Sequence, residues 1–558
     1  MRRRLLFVAV FAAVATALSG CTGIPFASGV NKGVPVQDET NADIQFLPAG
    51  PAVDATPEQI LRGFVEASTS PSGDWTTARQ YLSAEFARAW NPNDGVIIDT
   101  GTRVIEGTSP KSFTLKTQVQ ANVEADGTYQ AQAKPADKTF AFTFTQVSGQ
   151  WRIASGPNGV IIDDATFPRV FSASPLFFFA PGFDRLVPDM RWFPAHASTT
   201  TRVVKALLDG PSEWLSATGS ALTSVPRGAR LVADSVPVES GVATVNFDSK
   251  SFTAGDFTAK RMLRQISSSL AGLGDVAAID LLFSGSPQGH ATVPTAQQLL
   301  SPSADSEPLV VKDNVFGSLN KGAVTALPGL STTVAGLSPR AVSLSVDHAD
   351  AAVTTASGVF SVRADRKPTI VDAREKLLPA AIDSNSFIWT VAADAPQAVR
   401  ATGRAGTSRP ILVPWSDATS ISFLSMSPDG SRILAGLTTP SGQRVCAASI
   451  SRGDDLWPKS VGPCLYILPP SGKLLSAAWI DQAKVAVLAA NTSAVLRVTT
   501  LGGTFTDLTP PIGATAVMGS GSLMLPRVLT NYGELYEQSS STRWSMIASK
   551  VTAVASSQ

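Results

Sequence analysis

Residues 421–437 read Ile-Ser-Phe-Leu-Ser-Met-Ser-Pro-Asp-Gly-Ser-Arg-Ile-Leu-Ala-Gly-Leu. Two apolar runs flank Ser427-Pro428-Asp429-Gly430, a tetrad suited to a tight turn. The Asp side chain bonds the backbone two residues on, and Gly accepts a positive φ. Strand, turn and strand make a hairpin. Similar groups recur at Ala341 to Val346, Ile382 to Val391, Leu475 to Val487 and Thr515 to Thr530. Their spacing of about 35 to 45 residues lies within the range of repeat architectures, and no helical period interrupts them. Residues 303–558 are therefore expected to form an all-β propeller domain of about five or six blades, its ring closed by the strand near Leu309 to Val311 or by the last strand. A pair of β-sandwiches is the competing arrangement.

Upstream, residues 167–302 alternate helix and strand signals. Val203, Val204, Leu207 and Leu208 form one helix face, stopped by Gly210-Pro211. Val232 to Val238 and Val242 to Phe247 bracket a turn at Glu239-Ser240-Gly241. A second helix carries Met262, Leu263, Ile266 and Leu270, and Ala277 to Phe283 is read as the closing strand. Leu176-Phe177-Phe178-Phe179 reads as a buried strand, with an aromatic binding face as the alternative. The order of elements, with Leu207-Leu208-Asp209-Gly210-Pro211, Val225-Pro226-Arg227-Gly228 and Val242-Ala243-Thr244-Val245, resembles the α+β GerMN domain of sporulation and germination proteins.

Residues 56–166 open with Thr56, Pro57 and Gln59, which supply an N-cap, a first-turn proline and a capping-box acceptor. Ile60, Leu61, Phe64 and Val65 follow on one face. Asp74 is expected to cap a second helix bearing Ala78, Leu82 and Phe86. The period then becomes two: Phe113 to Val123 alternates, Asp126-Gly127 turns, and Phe140, Phe142 and Phe144 alternate again. Two helices on a curved antiparallel sheet resemble the α+β cone of the nuclear-transport-factor-like superfamily.

The amino terminus fixes the compartment. Arg2-Arg3-Arg4 precede an apolar run, Leu5 to Leu18, and then Ser19-Gly20-Cys21. A basic start, a short hydrophobic stretch and small residues mark a secretory signal over residues 1–20. The stretch is shorter than the roughly 20 residues of a spanning helix. Leu18-Ser19-Gly20-Cys21 matches the bacterial lipobox, which implies cleavage between Gly20 and Cys21, a diacylglyceryl thioether on Cys21 and an N-acyl group on its new amine. Residues 21–55, rich in Gly, Pro, Asn and Asp, read as a flexible tether. The expected location is the extracytoplasmic face of the plasma membrane, held by lipid.

Of 558 residues, 44% are hydrophobic and 16% charged, and the formal net charge is +1. No basic stripe is interleaved with aromatics, so nucleic acid is not an expected partner. Beyond Cys21 the chain has Cys446 and Cys464. In an oxidising compartment they are a candidate disulfide, and two buried free thiols remain the alternative.

Reactive groups do not converge along the sequence. His196, His290 and His348 lack metal-ligand spacing, and no G-x-S-x-G elbow is present. Gly472-Lys473 lacks the remainder of a phosphate loop. The acid pairs Asp163-Asp164 and Asp454-Asp455 read as solvated turns. No catalytic residue, metal or cofactor is expected.

Lipobox, cone-like domain, GerMN-like unit and carboxy-terminal propeller, in that order, resemble the actinobacterial LpqB family of lipoproteins. The resemblance implies binding to the ectodomain of a sensor histidine kinase, MtrB-like, and modulation of two-component signalling and cell-envelope homeostasis. Cys21 is the one functional residue it transfers. A propeller that binds or cleaves envelope glycan is the alternative function.

Overall fold

The run from Ile421 to Leu437 folds as two antiparallel strands, Ser420–Met426 and Arg432–Thr439, in a computed structural model of the protein. It describes residues 48–195, 199–250, 256–301, 307–364, 366–520 and 525–557. In the turn between these strands, Asp429 Oδ1 accepts hydrogen bonds from Ser431 N (2.8 Å) and Ser427 Oγ (2.9 Å). Gly430 has φ +69°, and a Cβ there would collide with Ser384 of the preceding blade. A side chain at residue 430 would therefore be both strained and obstructed.

Among the described residues, six four-stranded antiparallel units of this kind make up the carboxy-terminal half. The final strand, Val551–Ser557, pairs antiparallel with Leu309–Lys312, so it becomes the innermost strand of the first blade. It also pairs in parallel with Ala341–Leu344, the innermost strand of the second. The remaining inner strands are Ala381–Ile382, Ser420–Met426, Lys473–Trp479 and Ala514–Gly519. Each touches the next, and the last touches Val551–Ser557, closing a ring of six. Two β-sandwiches are excluded by this closure. Of the two closing strands expected, the carboxy-terminal one performs the role, and it leaves no sheet edge open at the ring's seam.

The second domain begins with a two-stranded ribbon, Phe171–Phe179 against Leu186–Pro194. Leu176 to Phe179 are fully buried there, so the aromatic cluster is core and not a binding face. Helices Thr199–Asp209 and Asp256–Ser269 lie beside a sheet in which Val242–Phe247 and Ala278–Phe283 run in parallel. The strand expected to close the unit is not its last. It turns at Ser284-Gly285 into an exposed edge strand, Ser286–Thr292.

In the first domain Thr56 and Gln59 form the capping box of helix Pro57–Ala67. The sheet runs in the order Gln150–Ser155, Tyr129–Val147, Ser112–Glu124, Gly95–Ser109, Val160–Asp163, the last pair parallel. Phe64, Trp90 and Phe142 pack edge-on between helices and sheet, giving a mixed α/β half-barrel. The expected second helix is divided in two. Asp74 does not cap it but sits at φ +57°, within Ser72–Arg79. A separate helix, Ala84–Ala89, is capped instead by Ser83, whose hydroxyl accepts from Phe86 N. Gly73, Asp74 and Trp75, at the start of Ser72–Arg79, adopt left-handed conformations, and residues 80–83 separate that segment from Ala84–Ala89. Residues 48–55, read as the end of the tether, are fastened to this domain. Tyr81 Oη donates to Ala49 O at 2.9 Å, and Ala55 is buried.

Candidate functional site

The six inner strands enclose a cavity of about 1590 Å³ along the propeller axis. Small and apolar side chains wall its length, among them Val342, Ala381, Leu424, Ala477 and Val517. Such a lining with a few convergent polar groups is the usual form of a ligand or partner site. Its two ends differ.

Where the inner strands finish, the second domain lies across the cavity. Asp184, Arg185, Arg264 and Leu300 line it from that side. Arg185 Nη2 donates to Asn385 Oδ1 at 3.0 Å, and Gln482 N donates to Leu300 O at 2.9 Å. Arg432, 1% exposed, donates to Pro188 O of the second domain and to Gln482 O of blade five, while its guanidinium pairs with Asp429. Ser449 Oγ donates to Trp214 O at 2.6 Å, extending the joint. Where the inner strands begin, Arg340, Asn531, Tyr532 and Lys550 form a mouth that no other domain covers among the described residues.

The covered end carries a repeated device. An arginine ending the third strand of one blade reaches back to an aspartate in the first turn of the blade before. Arg404 of blade three pairs with Asp350 (2.5 Å) and Asp347 (3.5 Å) of blade two. Arg452 of blade four pairs with Asp383 of blade three at 2.6 Å. The series stops at blade five. Asp481 occupies the equivalent turn and accepts hydrogen bonds on Oδ1 from Ala483 N (2.6 Å) and Lys484 N (2.7 Å). Its Oδ2 is buried with no hydrogen-bond donor among the described residues. Burial pushes the Asp481 carboxyl above the usual range, against the lowering effect of those backbone N–H groups.

Comparison with known proteins bears on these three domains together. Residues 50–168 match the family model described as the N-terminal domain of lipoprotein LpqB, and residues 312–554 match its beta-propeller domain. Residues 175–289 match the model described as sporulation and spore germination. A lipoprotein LpqB of Cutibacterium acnes is 27% identical over 278 residues, covering 50% of this chain and 46% of that protein. Another, of Thermobifida fusca, is 26% identical over 363 residues, covering 62% and 55% respectively. The chain belongs to the LpqB family of lipoproteins. It spans about half the length of the curated LpqB relatives it matches. A chain of the nidogen/laminin complex covers 45% of this one at 9% identity with a TM-score of 0.32; 97% of that chain is covered.

Within this LpqB-family fold, the residues singled out by sequence lie apart. Cys21, its junction with Gly20 and His196 fall outside the described residues. No described helix is long and apolar enough to cross a membrane. Cys446 and Cys464 are joined by a disulfide between the two outer strands of blade four, with Cα atoms 5.2 Å apart. His290 Nδ1 lies 2.8 Å from Asp280 Oδ1 on the edge hairpin of the second domain. His348 sits at φ +55° in the first turn of blade two. Asp163 Oδ1 accepts from Thr166 N, and Asp455 Oδ1 accepts from Trp457 N, so one acid of each pair holds a turn. Among the described residues no three His, Cys, Asp or Glu side chains are grouped to hold a metal.

Sequence reasoning missed the arginine–aspartate staples and Asp481. The available signal was an aspartate shortly after four of the six inner strands, at residues 347, 383, 429 and 481. It was legible as turn chemistry only, because the arginine partners of Asp347 and Asp383 lie one blade further along the chain.

Proposed function

We propose that this LpqB-family chain is a lipid-anchored extracytoplasmic accessory protein without catalytic activity. It binds the ectodomain of a sensor histidine kinase, MtrB-like, and so modulates two-component signalling and envelope homeostasis. The observation that carries this reading is the arrangement of the cavity. One end is covered by a second domain and the other is free, so the propeller is a fixed platform offering one face to a partner. The resemblance noted in the sequence supplies the kinase, and the lipobox at Cys21 supplies the tether. The first domain is read as a nuclear-transport-factor-like cone, whose role here is to space the platform from the membrane.

The test is binding of the purified chain, residues 21–558, to the kinase ectodomain by calorimetry. Association at micromolar concentration is expected, and no association between two folded proteins up to about 1 mM, a free energy of only some 4 kcal/mol, would remove the reading. The volume of the cavity also favours a second reading, an envelope-glycan binder. In that case glycan fragments, and not the ectodomain, would raise the unfolding temperature, as any ligand selective for the native state must.

A further inference from the structure

The free mouth of the propeller has a chemical character that the covered end lacks. Arg340 and Lys550 line it, and Lys473 begins the inner strand of blade five at the same end. All three are exposed and make no ion pair among the described residues, although Lys550 helps to hold the Asp313 carboxyl below its ordinary pKa. The aspartates on the neighbouring loops are already neutralised. Asp313 pairs with Lys312 (2.7 Å), Asp394 with Lys376 (2.7 Å) and Asp417 with Arg444 (3.0 Å). Two glutamates stay charged at this end: Glu534, which accepts only the neutral Tyr536 hydroxyl at 3.1 Å, and Glu375, on the loop of Lys376. None of these carboxylates lines the cavity, whose acidic lining residues, Asp184, Glu307, Asp429 and Asp481, all belong to the covered end.

Two large apolar side chains stand beside this positive rim. Tyr532 is 68% exposed and Ile512 is 87% exposed. They are neighbours, since a Cβ on Gly513 would lie 2.8 Å from the Tyr532 ring. An exposed tyrosine and an arginine at the lip of a concavity have the composition of an interface hot spot. Unpaired cations around them select an anionic partner and raise its association rate.

We propose that the free mouth is the docking surface for an acidic protein segment with interspersed aliphatic residues. Carboxylates of the segment meet Arg340, Lys473 and Lys550, and an aliphatic side chain packs on Tyr532 and Ile512 towards the cavity. An anionic bilayer is the weaker match. Three cations at about 1 kcal/mol each give marginal adhesion, and a flat membrane leaves the concavity unfilled. The inference deepens the function proposed above, on which it rests for the existence of a protein partner.

The probe is a fluorescent peptide of alternating Glu and Leu, titrated against the chain comprising residues 21–558. Saturable binding is expected, weakened about tenfold by Arg340→Glu with Lys550→Glu and comparably by Tyr532→Ala. All of these positions are exposed, so the variants fold. Equal binding by wild type and variants overturns the inference, as does no binding at about 1 mM peptide. It is also overturned if anionic vesicles, and not the peptide, are held through these residues. The kinase ectodomain separates the two claims. If it binds wild-type and charge-reversed chains equally, this surface is wrong and the kinase reading stands. If the peptide binds through these residues and the ectodomain does not bind, the surface stands and the kinase reading fails.

Discussion

Arg452 Nη2 reaches from the end of a strand in blade four to Asp383 Oδ2, 2.6 Å away in the first turn of blade three. Both side chains are almost wholly buried, at 3% and 0% exposure. Asp383 also accepts from Trp389 Nε1 at 2.9 Å and from the N–H groups of Asn385 and Phe387 at 3.0 Å. The carboxylate therefore ties a turn, a tryptophan and the adjoining blade into one network. Breaking such a pair strands a buried charge. Arg452→Ala is expected to cost about 3 to 5 kcal/mol, measured by urea unfolding. A cost near that of an exposed pair, below about 1 kcal/mol, would show that the staple is incidental.

Asp481 has no such partner, and burial governs its titration. Burial raises its native pKa above the unfolded value, so the native state binds more protons between the two values. Its contribution to stability is greatest below the unfolded pKa and falls as pH rises through the native one. Asp481→Asn keeps an Oδ1 acceptor for Ala483 N and Lys484 N while removing the charge. The variant should melt higher than wild type near neutral pH and lose that advantage in acid. An unchanged melting temperature at both pH values would contradict this account.

Asp372 is the converse case. Burial alone would raise its pKa, but hydrogen bonds from Arg374 and Thr390 outweigh it and hold the carboxyl below its ordinary value. Its stabilising contribution is present above the unfolded pKa and disappears as pH falls through the native one. Asp372→Asn should therefore reduce stability at neutral pH and make acid unfolding shallower, as followed by circular dichroism.

The Cys446–Cys464 disulfide spans a sequence separation of 18 within one blade. On the chain-entropy account a loop of this size contributes about 3 kcal/mol. Replacing both cysteines with alanine is expected to shift the urea midpoint accordingly and leave the ring closed. A shallower or biphasic transition would instead mean that blade four unfolds separately.

Cys21→Ala tests the anchor. Two acyl chains hold a protein on a bilayer where one does not, so loss of the thiol should abolish incorporation of labelled fatty acid and release the protein from the membrane fraction. Retention of both label and membrane association would refute the assignment of Cys21.

The amino-acid order determined what depends on near neighbours. Ser427-Pro428-Asp429-Gly430 specifies its turn through one Asx interaction and one left-handed glycine, and Thr56 with Gln59 specifies a helix start. The apolar periods around them set strand against helix in each of the three domains. These are interactions within a few residues, and they survive being read in one dimension. The left-handed conformation of Gly73, Asp74 and Trp75 was not legible, because Trp75 carries no sequence signal for a positive φ. Tertiary structure alone decided the rest. It set the blade number, since ring closure depends on where residues 551–557 land against residues 309–312, more than two hundred positions away. It also paired Arg452 with Asp383 and laid the second domain over one end of the cavity. Charges and apolar side chains that the sequence scatters between residues 340 and 550 meet at the other end because a closed ring converts sequence repeats into spatial neighbours.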